Sequence, residues 1–355
     1  MNRQVVDRIV AATLYEGYLL YPYRPSSVKN QVRWTFGGVY PREYSEAVRG
    51  AEPWVATTEC LLRGGDDATV EVTVRFLHVV TRVVGRLETP SPEPPADGTA
   101  GLQRVDAFEL DGRIHRTWDE AAERKLDAGL CTVGELLRAP RTLALTVDAG
   151  GDVEWLRGAD GLIAGALVRE HQPLCVSADV SAERMTPDVA RIRVSITNVT
   201  PVSDEQVANR EVALRHALVS THVVLGAGDG GGWLSVTDPP PDAVELAAAC
   251  VNTGLWPVLV GDPGSDDTIL ASPIILEDHP QVAAESAGDL FDSTEIDEIL
   301  SLRILTLTDV EKAEMRAADE RARAMLDRTE SLTQDDFMRM HGTLRPVAPR
   351  IGGRQ

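Results

Sequence analysis

Apolar and polar residues alternate along several stretches of the chain, and this period of two restricts the fold more than any other feature. In the stretch 68–84, every second residue lies on one mostly apolar face; these residues are Val70, Val72, Val74, Phe76, His78 and Val80. The clearest second example is 191–198, and the same pattern occurs at 105–110, 142–147, 174–180 and 212–225. Such alternation is typical of half-buried strands. Long alternating strands joined by polar loops predict an antiparallel β-sandwich or barrel-like core and not a doubly wound parallel sheet.

Helical patterns lie mainly outside these strands. Apolar residues at helical spacing predict a helix over 4–20, and short helices are predicted at 118–126, 133–138 and 244–251. Strands at 256–261 and 269–276 follow the last of these. A helical pattern covers 294–305, and Thr308 with Glu311 forms a capping-box pattern that opens a charged helix to about residue 327.

The predicted fold is therefore α+β, with an antiparallel β-sandwich or barrel-like core, a small α/β unit and C-terminal helices. Residues 1–54 are expected to form an N-terminal helix and a tyrosine-rich segment packed on the core, and 55–230 the β-rich core. Residues 231–287 form the small α/β unit, 288–344 the C-terminal helices and 345–355 a flexible tail.

The net charge of −20 over 355 residues argues against nucleic acid as a general partner, because phosphates would be repelled. Residues 1–50 differ from the rest, with seven Lys or Arg against four Asp or Glu. No run of eighteen apolar residues is present, and Asp7 and Arg8 interrupt the N-terminus where a signal peptide would be apolar. These features predict no membrane insertion and a cytoplasmic protein.

All six tyrosines lie between Tyr15 and Tyr44, in the basic part of the chain; we call residues 15–44 the tyrosine segment. Tyrosine, tryptophan and arginine dominate the energetics of protein interfaces, so the segment predicts a surface that binds a partner protein. The candidate partner-binding residues are Tyr18, Tyr21, Tyr23, Arg24, Lys29, Arg33, Trp34 and Phe36. The alternative is that the segment closes one end of the sandwich, with its hydroxyl groups capping loop backbone.

Signals for metal binding and catalysis are weak. His171 and Cys175 are four residues apart on a predicted strand, as candidate metal ligands, and His216 and His222 form a similar pair. Buried polar residues of a sheet explain both pairs better, and His78 is predicted to lie in the core. Acidic clusters at 266–267, 277–279 and 292–298 are explained as exposed loops and a helix start, and the glycine run 226–232 as a hairpin. No nucleophile motif is found, so no residue is assigned a catalytic role, and no cofactor is expected.

Three groups of motifs resemble an uncharacterised bacterial family found in gene neighbourhoods of uptake nickel-iron hydrogenases. They are 15–24 (YEGYLLYPYR) with 29–37, then 254–261 (GLWPVLVG) with 270–273, and 294–300 (TEIDEIL). The resemblance spans nearly the whole chain. It implies a role beside hydrogenase, in assembly or maturation, and assigns no activity to any residue.

The expected function is that of a non-catalytic accessory protein that binds a hydrogenase subunit or maturation factor. Two alternatives stay open at this point: a metal-dependent enzyme of unknown reaction, and a self-assembling structural protein.

Overall fold

The structure is a computed structural model that describes residues 3–15, 34, 36–96, 98–280, 304–318 and 320–333. Its strands, in chain order, are β1 (Val55–Gly64), β2 (Thr69–Ser91), β3 (Gln103–Val105), β4 (Ala107–Leu110), β5 (Arg113–Arg116), β6 (Trp118–Thr132), β7 (Arg141–Val147), β8 (Gly150–Arg157), β9 (Ile163–His171), β10 (Leu174–Arg184), β11 (Val189–Asn198), β12 (Val219–Ala227), β13 (Gly231–Leu234), β14 (Trp256–Leu259) and β15 (Thr268–Ser272). Its helices are α1 (Arg3–Leu14), α2 (Arg42–Ala47), α3 (Val133–Arg138), α4 (Asp204–Val207), α5 (Arg210–Leu214), α6 (Val244–Ala248), α7 (Asp309–Ala318) and α8 (Glu320–Ser331).

Two antiparallel sheets form the body of the protein. The first has the strand order β13-β1-β11-β10-β7. The second has the order β14-β15-β12-β2-β9-β8, with β6 and β3 also paired to β2. At 23 residues, β2 is long enough to pair with β12 and β6 along its first part and with β9 and β3 along its last part. This confirms the predicted α+β fold with an antiparallel, sheet-rich core.

The predicted alternation sets which side chains enter the core between the sheets. From β2, Val70, Val72, Val74 and Phe76 are buried in one cluster. From β11, Ile192, Val194 and Ile196 meet them there. Burial of apolar area at about 25 cal/mol per Å² makes this cluster the main stabilising feature of the fold.

A second cluster lies on the outer side of the second sheet. It contains Val6, Ile9, Val10 and Leu14 of α1, residues of the tyrosine segment, and outward-facing side chains of β2, β12 and β15. Because the apolar residues of α1 have helical spacing, they form one face of the helix, and this face packs on the sheet.

The C-terminal helices α7 and α8 fold back on each other. Lys312 of α7 lies 3.1 Å from Glu330 of α8, and Met315 and Leu326 are buried between the helices. The predicted capping box is confirmed, because the Thr308 N–H donates to Glu311 Oε2 at 2.9 Å and the Glu311 N–H donates to Thr308 Oγ1 at 3.3 Å. Most of the helical pattern predicted at 294–305 lies outside the described residues.

Two local predictions are wrong. Residues 118–126 belong to strand β6 and are not a helix, because pairing with β2 overrides the helix-favouring Ala, Glu and Lys of this stretch. Residues 212–225 are not one strand, since α5 occupies the first of them and β12 begins at Val219.

The residues of the predicted small α/β unit contribute to both sheets. Strand β13 pairs with β1 in the first sheet, while β14 and β15 extend the second sheet next to β12. Helix α6 packs on the outer side of the first sheet, where Ala243 and Ala247 meet Leu61 of β1 and Val189 of β11.

Candidate partner-binding site

The chain on either side of residues 16–33 is attached to one residue, Ser220 of β12. The register of β12 against β2 is irregular between Val219 and His222, and Ser220 adopts a left-handed backbone with φ of 50°. From this bulge, the Ser220 hydroxyl donates to the carbonyl of Thr13 at 3.4 Å. The Ser220 N–H donates to the carbonyl of Phe36 at 3.3 Å. The chain therefore leaves α1 and returns at Phe36 on the same spot of the second sheet.

Residue 37 at this spot has to be glycine. Gly37 has φ of 56°, and its carbonyl accepts the N–H of Thr221 at 3.0 Å. A Cβ added to Gly37 would lie 2.6 Å from Pro273, closer than real side chains approach. The absence of a side chain lets the returning chain pack directly on β12 and on the residues after β15.

The later part of the tyrosine segment is an aromatic anchor buried in the second cluster. The rings of Tyr40 and Tyr44 have centroids 5.2 Å apart, and Trp34 is only 3 % exposed. Arg210 lies over the Tyr40 ring, and its Nε donates to Glu52 at 3.1 Å. Burial raises the pKa of Tyr40 well above its usual range, so its hydroxyl stays protonated.

The placement of the candidate partner-binding residues is mixed. Those outside the described residues are Tyr18, Tyr21, Tyr23, Arg24, Lys29 and Arg33. Phe36 is 41 % exposed beside the Ser220 bulge, as a binding residue would be. Trp34 corrects the prediction, because its buried ring packs with α1 and the outer face of the sheet and offers no surface to a partner. Trp34, Tyr40 and Tyr44 are buried, as the alternative expects, but they pack on the outer face of the second sheet and the Tyr40 hydroxyl caps no described backbone group.

The structure separates the candidate metal ligands His171 and Cys175. Gln172 and Pro173 break the predicted strand, so that His171 ends β9 in the second sheet and Cys175 lies on β10 in the first. Among the described residues, no group of three His, Cys, Asp or Glu side chains is arranged to hold a metal ion. Of the acidic clusters, Asp278 accepts from Ser235, Thr237 and the Leu259 N–H, and 292–298 lie outside the described residues.

His78 lies in the interior, as predicted, and stacks edge-on against His171 with ring centroids 5.3 Å apart. Burial lowers the pKa of His78 to about 3, and the charge of Arg124 adds to this shift. The backbone of Gln172 acts in the other direction and raises the pKa of His78. Neither ring nitrogen of His78 forms a hydrogen bond of good geometry with a described residue. His78 is thus held neutral.

His222 is also buried and neutral. It lies beside Arg75 on the face of β12 that points away from the core between the sheets. Its Nδ1 lies 2.7 Å from the Ser220 carbonyl, which can only accept, so Nδ1 carries the proton. Burial lowers the pKa of His222 to about 4. His216 contacts the side chain of Gln206 and the carbonyl of Pro173, so it does not form a metal pair with His222.

Of the four cysteines, Cys60 and Cys131 are buried and Cys175 and Cys250 are half-buried. Burial raises the pKa of Cys60 to about 12 and that of Cys250 to about 11, which keeps both thiols protonated. The glycine run 226–232 joins β12 to β13, and the next described helix, α6, begins only at Val244. This run therefore lacks the helix start that a phosphate loop requires.

A charge network on the second sheet was not predicted from the sequence. Glu120 of β6 accepts from Arg82 of β2 at 2.6 Å and from Arg169 of β9 at 2.8 Å. Arg82, 6 % exposed, also donates to the carbonyl of Ala318 at 2.7 Å. A cation at the last carbonyl of a helix is favourable, so Arg82 fastens α7 to the sheet.

The chain was compared with protein-family models, with curated proteins and with solved structures, and none of them matches. Within the described ranges, no helix has both the length and the apolar character needed to cross a membrane.

Proposed function

We propose that the protein is a non-catalytic accessory protein of the cytoplasm that binds a partner protein through the tyrosine segment. We further propose that this partner is a subunit or maturation factor of a nickel-iron hydrogenase. The first part is supported by the attachment of Thr13 and Phe36 to Ser220. The second part rests on the family resemblance alone.

The attachment at Ser220 favours binding through the residues between Thr13 and Phe36. Fixing both flanks at one point reduces the conformations open to the intervening chain, so less entropy is lost when a partner binds it. The aromatic anchor of Tyr40 and Trp34 holds the returning flank in place. The buried part of the tyrosine segment thus supports the part proposed to bind.

The residue types suit an acidic partner surface. Tyrosine rings supply large, rigid contact area, and arginine binds carboxylates in a bidentate manner. Arg24 and Arg33 are proposed to form such pairs, with Tyr21, Tyr23 and the exposed Phe36 as apolar anchors.

The test is affinity purification of the tagged full-length chain from its native host, followed by mass spectrometry. The double variants Tyr21→Ala with Tyr23→Ala and Arg24→Ala with Arg33→Ala are expected to lose the partner and to keep the wild-type melting temperature. The matched control is Trp256→Ala, which removes an aromatic side chain, 38 % exposed, from strand β14 and is expected to keep the partner.

Each outcome separates a different part of the proposal. Loss of binding together with a large fall in melting temperature would mean that Tyr21 and Tyr23 belong to the core. Capture of a partner unrelated to hydrogenase would contradict the second part only. Stoichiometric nickel, iron or zinc in the purified protein would favour the metal-dependent enzyme, and large assemblies in light scattering would favour the self-assembling structural protein.

A further inference from the structure

Strand β7 is an edge of the first sheet without the features that usually protect an edge. Exposed edge strands carry free N–H and C=O groups, and proteins block them with charges, proline, glycine or short length. The other edges have such features: β14 has four residues with Pro257, β13 has four residues with two glycines, and β8 carries Asp152 and Glu154. Strand β6, paired only with β2, carries six charged residues. From Thr142 to Val147, β7 has no charge, no proline and no glycine.

On its free side β7 pairs with no described strand, although at its start the Arg141 guanidinium contacts β6, at the Leu130 carbonyl and at Cys131 Sγ. Its only partner strand is β10, and no other backbone hydrogen bond within the described ranges involves residues 141–147. Thr142, Ala144 and Thr146 are exposed on the outer face of the sheet. Leu143 and Leu145 pack on the core and are only partly covered. An added strand would bury more of both leucines.

The sequence of β7 reads the same in both directions around Ala144. Thr142-Leu143-Ala144-Leu145-Thr146 is a palindrome, so an antiparallel copy centred on Ala144 places Thr opposite Thr and Leu opposite Leu. Cross-strand Thr pairs and apolar pairs stabilise antiparallel sheets. A contact of this kind is isologous, as a closed two-fold dimer requires.

We infer that β7 pairs antiparallel with β7 of a second copy of this chain, across a two-fold axis at Ala144. The two five-stranded sheets then form one ten-stranded sheet. This interface lies on the first sheet, whereas the tyrosine segment is attached to the second sheet. The dimer therefore does not depend on the proposed partner of the tyrosine segment.

The experiment is sedimentation equilibrium of the full-length chain and of two charge variants. The wild type is expected at twice the 38.5 kDa mass of the chain. Ala144→Lys and Ala144→Glu each place like charges directly across the axis and are each expected to be monomeric. A mixture of the two places Lys opposite Glu and is expected to restore the dimer. The matched control is Val153→Lys, which adds the same charge to the edge strand β8 and is expected to remain dimeric.

Hydrogen exchange gives an independent measurement. Amides of β7 that point away from β10 are expected to gain protection as the concentration of the wild type rises, and those of β8 are not. Circular dichroism of each variant shows whether it is folded. A monomeric wild type at high micromolar concentration would overturn the inference, as would a folded Ala144→Lys variant that stays dimeric. Failure of the mixed variants to associate would overturn the register centred on Ala144.

Discussion

The hydroxyl of Ser220 donates to the carbonyl of Thr13, 3.4 Å away, and this bond joins a bulge in β12 to the last turn of α1. The same residue holds Phe36 through its backbone N–H. Ser220 can reach both groups because its backbone is left-handed, with φ of 50°. A conformation that costs about 1–2 kcal/mol for an L-residue is therefore kept at the base of the tyrosine segment.

Replacement of Ser220 by alanine and by glycine separates the contribution of the hydroxyl to stability from that of the strained backbone. Ser220→Ala loses the hydrogen bond to Thr13 and keeps the strain, so we expect the free energy of unfolding to fall by about 1 kcal/mol. Ser220→Gly loses the same bond but relaxes the left-handed backbone, and we expect it to be more stable than Ser220→Ala by about 0.5–1 kcal/mol. Urea unfolding followed by circular dichroism measures both. Equal stability of the two variants would show that the strain is absent.

Stability is expected to depend on pH through His78 and His222. Their folded pKa values, about 3 and about 4, lie below the ordinary value of 6.5. As pH falls below 6.5, the unfolded chain takes up protons that the folded protein excludes, so the unfolded state is favoured. Above pH 6.5 this contribution to stability is fully present, and between pH 6.5 and 4 we expect each histidine to remove up to about 1.4 kcal/mol per pH unit.

Single variants isolate this effect from the titration of carboxylates. Urea unfolding at several pH values between 7 and 4 gives the slope of stability against pH. His78→Gln and His222→Gln should each have a shallower slope than the wild type, and the double variant the shallowest. Parallel slopes for all four proteins would contradict the buried neutral state of the two imidazoles.

Arg82 is expected to control the docking of the C-terminal helices. Arg82→Met removes the donors to Glu120 and to the Ala318 carbonyl. Glu120 keeps Arg169, but breaking a largely buried pair typically costs about 3–5 kcal/mol, and we expect a loss near the lower end. Hydrogen exchange should show faster exchange throughout α7 and α8, while β11 stays protected.

The control for Arg82 is Arg42→Met. Arg42 pairs with Glu46 at 2.7 Å, and both side chains are 60 % exposed. Exposed pairs contribute little to stability because water and salt screen them, so this variant should unfold close to the wild type and leave exchange in α7 unchanged. Equal effects of the two substitutions would mean that Arg82 does not fasten the helices.

The predictions that the structure confirms depend on local signals. Alternation at 191–198 identifies β11, and Thr308 with Glu311 identifies the start of α7, because each signal lies within a few residues of the element. Residues 118–126 carry no such local signal for the strand that they form. Their composition favours a helix, and their strand conformation is decided by β2, whose paired residues run from Arg82, opposite Trp118, to Val74, opposite Leu126.

The candidate site follows the same division. The clustering of tyrosines is visible in the sequence. However, a pattern of aromatic and cationic residues is compatible with an exposed surface and with a buried core. Trp34 is buried because α1 and β12 pack around it, and both are distant in the sequence. The link from Ser220 to Thr13 spans 207 positions and needs a left-handed serine, for which the sequence carries no signal.

Trp34 and Phe36 are two residues apart and are expected to differ sharply when replaced by alanine. Trp34 is 3 % exposed and fills space between α1 and the second sheet, so Trp34→Ala should lower the free energy of unfolding by about 3–5 kcal/mol. Phe36 is 41 % exposed, and Phe36→Ala should cost about 1 kcal/mol or less, because much of its ring stays in water. Thermal and urea unfolding measure both.

The binding assay is expected to give the opposite contrast. Phe36→Ala should weaken capture of the partner while the protein stays folded, because an exposed aromatic side chain at an interface centre is a typical hot spot. Any loss of capture by Trp34→Ala should follow its fraction of folded protein, since the indole has no surface to offer. A stable Trp34→Ala variant that loses the partner would place the indole in the interface, and would show that the flank at residue 34 opens when the partner binds.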